Sequence, residues 1–271
     1  MPDAPKTIPQ TVGSWRVLRE LRAANSLLAE DDSRRVILKL LEEDCLWRNR
    51  LHPNIQSRLA RVREIAHPAV ANLLGVERAG SQLYLVWEYV PGKTLAESAD
   101  LFRDPAALSQ LGLQLCQTVA RLHALGIVHG NIHERNILLS SQNAPDESPI
   151  ENVNLPAAAL QNTAILTHIS PLLYDDPLAD VHGLADALAA VAKTNQYPPD
   201  QIKLLSSSNF LDLNALQNFL HDPRSANPAS TATADSPIAA RLRRRTIATI
   251  ALVLLGAAAI AGAFLHLGRG L

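Results

Sequence analysis

The stretch IVHGNIHERNILL, residues 127–139, decides the reading of this chain. An apolar pair, Ile127 and Val128, enters a polar run that closes on Ile137, Leu138 and Leu139. That pattern is a loop feeding a short strand. Just upstream, ALSQLGLQLCQTVARLHALG repeats Leu108, Leu111, Leu115, Val119 and Leu122 at helical spacing, with Gly126 placed to end the helix. Downstream, the polar run SQNAPDESP leads to a second short strand at IENVNL, and DVHGLADALAAVA and LDLNALQNFL read as helices.

Toward the N-terminus the pattern changes to strands. RRVILKLL carries β-branched Val36 and Ile37 beside Leu38 and Leu40. Residues 54–66 place Ile55, Leu59, Val62 and Ile65 on one helical face, and VANLLGVERAGSQLYLVWEYV gives two strands about a turn at Ala79, Gly80 and Ser81. The order is strands, helix, strands, then helices. It predicts an α+β fold with a small β-rich lobe and a mainly helical, shortened second lobe.

At 271 residues and 47% hydrophobic content, the chain can bury the core of one large domain. Lys and Arg number 25 against 26 Asp and Glu, so no global field draws it to nucleic acid. Cys45 and Cys116 are the only cysteines, too few for a disulfide framework or a cysteine zinc site. Residues 1–13 hold three prolines and read as an extended lead. Residues 247–265 form 19 residues without a charge, about 28 Å as a helix against a hydrocarbon core of about 30 Å. A transmembrane helix is therefore expected over residues 246–266, with a short tail at 267–271. Residues 224–245 read as a flexible linker ending in Arg241, Arg243, Arg244 and Arg245, placed to meet anionic lipid. Only Arg269 follows the span, so the positive-inside rule puts the folded part in the cytoplasm and the C-terminus on the far side. Ala258 and Gly262 form a small-residue pair that could mark a homodimer face in the span.

Several motifs, in order, resemble the bilobal protein kinase fold of bacterial Ser/Thr-kinase type. VILKLL is similar to the strand carrying the ATP-pairing lysine, here Lys39. REIAHPAVANLLGV resembles the end of helix C and the next strand, and LYLVWEYVPGKTL resembles the hinge, with Trp87 as gatekeeper and Glu88 and Val90 along the adenine edge. LHALGIVHGNIHERNILL resembles the catalytic loop and its lead-in helix, and ADVHGLADAL the start of helix F with a buried Asp180. The likeness covers residues 14–223, with the small lobe at 14–90 and the larger one at 91–223.

That resemblance implies a set of reacting positions, and several are altered. LRAANSLLA, residues 21–29, has no glycine where the family cradles phosphates. Nine residues before His67 stands Arg58 where the family has a glutamate, so a cation is expected opposite Lys39. His129, Gly130 and Asn131 fill H-R-D, which puts an amide without useful basicity at the aspartate's place. Asn136 keeps the loop asparagine, and Asn154, Leu155 and Pro156 fall at D-F-G, so Asn136 and Asn154 are degenerate metal-ligand positions. His129 and His133 lie in a loop without a third ligand nearby, and no metal is assigned to them. ATP with magnesium is the cofactor the resemblance implies, and these residues argue against it.

Loss of the base alone costs about 10²- to 10⁴-fold in rate. The expectation is a membrane-anchored pseudokinase, catalytically inactive, working as scaffold or regulator through a cytoplasmic protein partner. Two alternatives stay open. HGNIHERNILL is also similar to the H-G-D-x-H-x-x-N loop of small-molecule kinases, which leaves a weak or non-standard phosphotransferase. Retained Lys39 and Asn136 leave an ATP-binding sensor without turnover.

Overall fold

The computed structural model describes residues 9–21, 25–140, 163–172, 175–205 and 209–222. The strand expected at IENVNL, Asn154, the linker with its arginines and the run 246–266 all lie outside the described residues. Among the described residues no helix is long and apolar enough to cross a membrane.

The N-terminal part is a six-stranded sheet. In chain order it contains β1 (Thr11–Val12), β2 (Trp15–Glu20), β3 (Ser26–Glu30), β4 (Arg35–Leu40), then, after a small β5 (Leu46–Trp47) and β6 (Arg50–Leu51) ribbon, β7 (Leu73–Ala79) and β8 (Gln82–Glu88). The sheet order is β1-β2-β3-β4-β8-β7, all neighbours antiparallel. Side chains alternate across a strand, and β4 and β8 use both faces. Val36, Leu38, Tyr84 and Val86 join Val12, Trp15, Leu27 and Ala29 in an outer cluster. Leu83, Leu85 and Trp87 belong to the main core on the opposite face, with Ile37 packed against it. Lys39 pairs with Leu85 and Ile37 with Trp87 across the ladder. Lys39 therefore shares the inner face with Trp87.

Helix α1 (Pro53–Arg63) starts with Pro53 at its first position and with the His52 ring accepting the Asn54 N–H. It buries Ile55, Leu59 and Val62, as its spacing predicts, and Arg58 with them. The second part is helical. It contains α2 (Pro105–Ala124), α3 (Leu178–Thr194), the short α4 (Pro199–Leu204) and α5 (Leu213–His221). Asp104 caps α2 and Asp212 caps α5 by accepting backbone N–H groups. The apolar stripe of α2, from Leu108 to Leu122, is buried as its periodicity predicts. A three-stranded sheet of β9 (Lys93–Thr94), β10 (Ile137–Ser140) and β11 (Thr163–Leu166), in the order β11-β10-β9, lies in the same continuous core. The chain between β10 and α3 thus passes through a strand, β11, that the sequence did not show.

Candidate functional site

The loop at residues 127–136 is held from α3. Gly126 reverses the chain after α2 with φ of 68°, a conformation glycine adopts without strain. Asp180, in the first turn of α3, is fully buried. Its Oδ2 accepts the His129 N–H at 2.7 Å and its Oδ1 accepts the Gly130 N–H at 2.7 Å. His123 Nε2 also reaches Oδ2, at 2.8 Å. This is the role expected of Asp180. α3 approaches so closely that a Cβ on Gly183 would stand 2.6 Å from the Ile132 carbonyl oxygen.

On the cleft side the loop is tied by amides. Asn131 donates its Nδ2–H to the His168 carbonyl at 3.1 Å, and its backbone N–H reaches His129 Nδ1 at 3.3 Å. Asn136 donates from Nδ2 to the Asn131 carbonyl at 2.9 Å. Thr167 returns both its N–H, at 2.9 Å, and its hydroxyl, at 3.1 Å, to the Asn136 carbonyl. With its own proton committed there, Thr167 Oγ1 can only accept from His168 Nδ1, 3.2 Å away; Asn136 Oδ1 lies 3.4 Å from the same nitrogen. His168 is therefore the Nδ1–H tautomer, and its Nε2 carries the lone pair.

The position that follows the strand paired with β10 is filled by Thr167, His168 and Ile169, because β10 pairs with Thr163–Leu166. His168 adopts φ of 59°, a left-handed conformation uncommon for a residue with a side chain. Its ring meets Trp87 edge-on at 5.9 Å between centroids. Trp87 is 1% exposed, and among the described residues its Nε1 has no hydrogen-bond partner. Trp87 lies on the same sheet face as Lys39.

The electrostatics of the cleft are those of bases and cations. Burial holds Lys39 below its ordinary value, with Glu42 opposing. Burial holds His168 down to about 3, aided by the positive fields of Lys39, His129 and His133. Burial likewise holds His129 at about 4, against the pull of Asp180. His133 is lowered by burial too. His129 is fully buried and supports the loop as a neutral ring, its Nδ1 accepting the Asn131 N–H. Among the described residues no group of three or more His, Cys, Asp or Glu comes together as a metal-holding set.

One expectation needs correcting. Arg58 does not oppose Lys39. Its Nε donates to the Ser170 carbonyl at 2.9 Å and its guanidinium to the Val128 carbonyl at 2.5 Å, while the charge acting on Lys39 is Glu42. The Glu88 side chain accepts the Asn72 N–H at 3.1 Å and the Asn72 amide at 2.6 Å. Val90 follows in the half-buried connection to the helical part.

Aligned by structure, the kinase domain of Mycobacterium tuberculosis PknI covers 78% of this chain and 94% of its own at a TM-score of 0.55 and 15% identity. Rad53 covers the same 78% of this chain at a TM-score of 0.52 and 13% identity.

The fold is protein kinase-like.

The sequence profile of the protein kinase domain matches residues 24–147, from β3 through β10. A putative CBL-interacting protein kinase of Oryza sativa is 30% identical over 133 residues, 49% of this chain and 25% of the relative. A probable serine/threonine-protein kinase of Clostridium perfringens is 22% identical over 146 residues, 52% of this chain and 20% of the relative. The chain thus spans a fifth to a quarter of the length of these kinases. Within the kinase-like fold, Asn131, Asn136 and His168 are linked by hydrogen bonds, His168 packs on Trp87, and the charge of Lys39 acts on His168. Asn154 lies outside the described residues, and His168 was missed. No sequence signal pointed to His168, because Ala164, Ile165 and Leu166 are all apolar and the alternation of Thr163–Leu166 exists only in their burial.

Proposed function

We infer that this chain is a kinase-like domain without phosphotransfer activity, anchored to a membrane and serving as scaffold or regulator for a cytoplasmic protein partner. The observation that carries the reading is the fate of Asn131. At the position where a kinase holds its catalytic carboxylate, the side chain is an amide, and one of its two N–H donors is spent on the His168 carbonyl. It lacks the basicity to accept a hydroxyl proton. His168, following β11, is a neutral imidazole where the family's metal-binding carboxylate would follow that strand. The uncharged run 247–265 and the preceding Arg241, Arg243, Arg244 and Arg245 support a single membrane pass with the domain on the cytoplasmic side.

A nucleotide-binding reading is favoured by one observation: Lys39 stays on the inner face of the sheet, close enough for its charge to act on His133 and His168. It would place phosphates beside a cation and neutral imidazoles. Thermal unfolding of the full chain with millimolar ATP, with and without magnesium or manganese, separates the two. A ligand at 100 times its Kd adds about 2.7 kcal/mol of stability. No shift is expected, and no transfer of labelled phosphate to peptide or small-molecule acceptors. Transfer abolished by Lys39→Met would overturn the inactive reading.

A further inference from the structure

The β5–β6 ribbon offers a second surface, and it sits inside the unbroken described run 25–140. Leu46 pairs with Leu51 and Trp47 with Arg50. Directly opposed residues share a face and successive pairs alternate. The leucine pair packs half-buried against the main core, so the Trp47 and Arg50 side chains face outward. Trp47 is 56% exposed, the only aromatic among the large exposed apolar side chains of the described residues. A lone exposed apolar side chain is common on a protein. This one is set among cations, on a turn that one of them strains. The two turn residues, Arg48 and Asn49, have φ of 51° and 60°. Such a turn favours Asn, Asp or Gly, and an arginine at its first position is held there at a cost. The Arg48 guanidinium stacks over the Trp47 ring, 4.7 Å from its centroid. Arg78 reaches in from β7 and donates to the Asn49 carbonyl at 2.8 Å.

Charge is divided along the ribbon. Glu43 and Asp44 stand in the turn at its root, Glu42 acts on Lys39, and Glu77, next to Arg78, lies against Gly13. The tip itself carries arginines around an indole. That pairing suits a bilayer interface, where a tryptophan ring settles at headgroup level and basic side chains meet anionic lipid. We propose that the ribbon tip, Trp47 with Arg48, Arg50 and Arg78, docks on an anionic bilayer surface, the indole entering the headgroup layer and the guanidinium groups meeting lipid phosphates. This rests on the membrane anchoring inferred above from residues 247–265. A chain extends at most about 3.6 Å per residue, so residues 223–246 keep the domain within roughly 90 Å of the bilayer, where a weak contact is enough. No residue of the cleft takes part.

The test reconstitutes the full chain in vesicles of neutral phosphatidylcholine, alone or with about one third phosphatidylserine, each with and without bromine on the acyl chains. Trp15 and Trp87 are buried, so the emission lost in Trp47→Phe reports the tip. Bromine is expected to quench that emission by at least about half in the phosphatidylserine vesicles and to leave it unchanged in the neutral ones. Arg48→Glu combined with Arg50→Glu should abolish the quenching. Flotation of the vesicles after a carbonate wash reads the anchoring separately, and these substitutions should not alter it. Flotation without quenching on phosphatidylserine would overturn the contact and leave the tip to a protein partner. Equal quenching in both vesicle types, or quenching that survives the charge reversal, would overturn it as well. Loss of flotation would overturn the anchoring, and this proposal with it.

Discussion

The two sides of the loop at residues 127–136 have been treated differently. Beneath it, Asp180 holds two backbone N–H groups at 2.7 Å each, and α3 presses against Ile132 through Gly183. That side is intact support. Above it, facing Lys39, the positions that would carry charge-handling chemistry are Asn131, Asn136 and His168, and they bond to one another. The comparison teaches that the support of a loop and its reactivity are separable. The first is needed to fold, because buried N–H groups require acceptors. The second is needed only to turn over.

If support is what matters, its removal should be costly. Asp180→Ala strands the His129 and His129-adjacent Gly130 N–H groups, and is expected to cost about 3–5 kcal/mol, read by denaturant unfolding. The cleft side should betray its neutral imidazoles through acid. The folded-state values of His129, about 4, and His168, about 3, lie below the ordinary 6.5. The unfolded chain then binds more protons, so stability falls as pH drops from 6.5 and levels off below the folded values. About 3 kcal/mol for the two together should be gone by pH 5.5. His168→Asn should remove nearly half of that slope.

Gly183→Ala sharpens the same contrast. Alanine favours a helix by about 1 kcal/mol over glycine, yet the Cβ would collide with backbone, and a net loss of about 1–2 kcal/mol is expected. The smallest effect belongs to Asn131→Asp. It exchanges one amide bond to the His168 carbonyl for a repulsion and should cost about 1 kcal/mol or less, without raising phosphotransfer above background. A gain of activity from that single change would break the comparison, because the cleft would then be short of one carboxylate only.

Much of the fold was legible in the sequence. The stripes of α1 and α2, the β7–β8 hairpin at Gly80 and the strand at Ile137 all follow from periodicity and turn residues. β11 was not, because four residues give too short a pattern to stand out from the long polar stretch before them. With β11 unseen, His168 stayed invisible and Asn154 took its place in the reading. Arg58 was located correctly and given the wrong neighbour. Its acceptors are carbonyls 70 and 112 residues away, and a carbonyl carries no residue identity that a sequence could announce.

That arginine has a mechanical consequence. A guanidinium buried on α1 and fastened to both the segment before His129 and the segment after His168 works as a rivet through the domain. Swinging α1 outward would strand a charge in the interior, a movement that costs several kcal/mol. Outward travel of the helix therefore breaks the guanidinium's bonds to both flanks of the loop or drags those flanks with it.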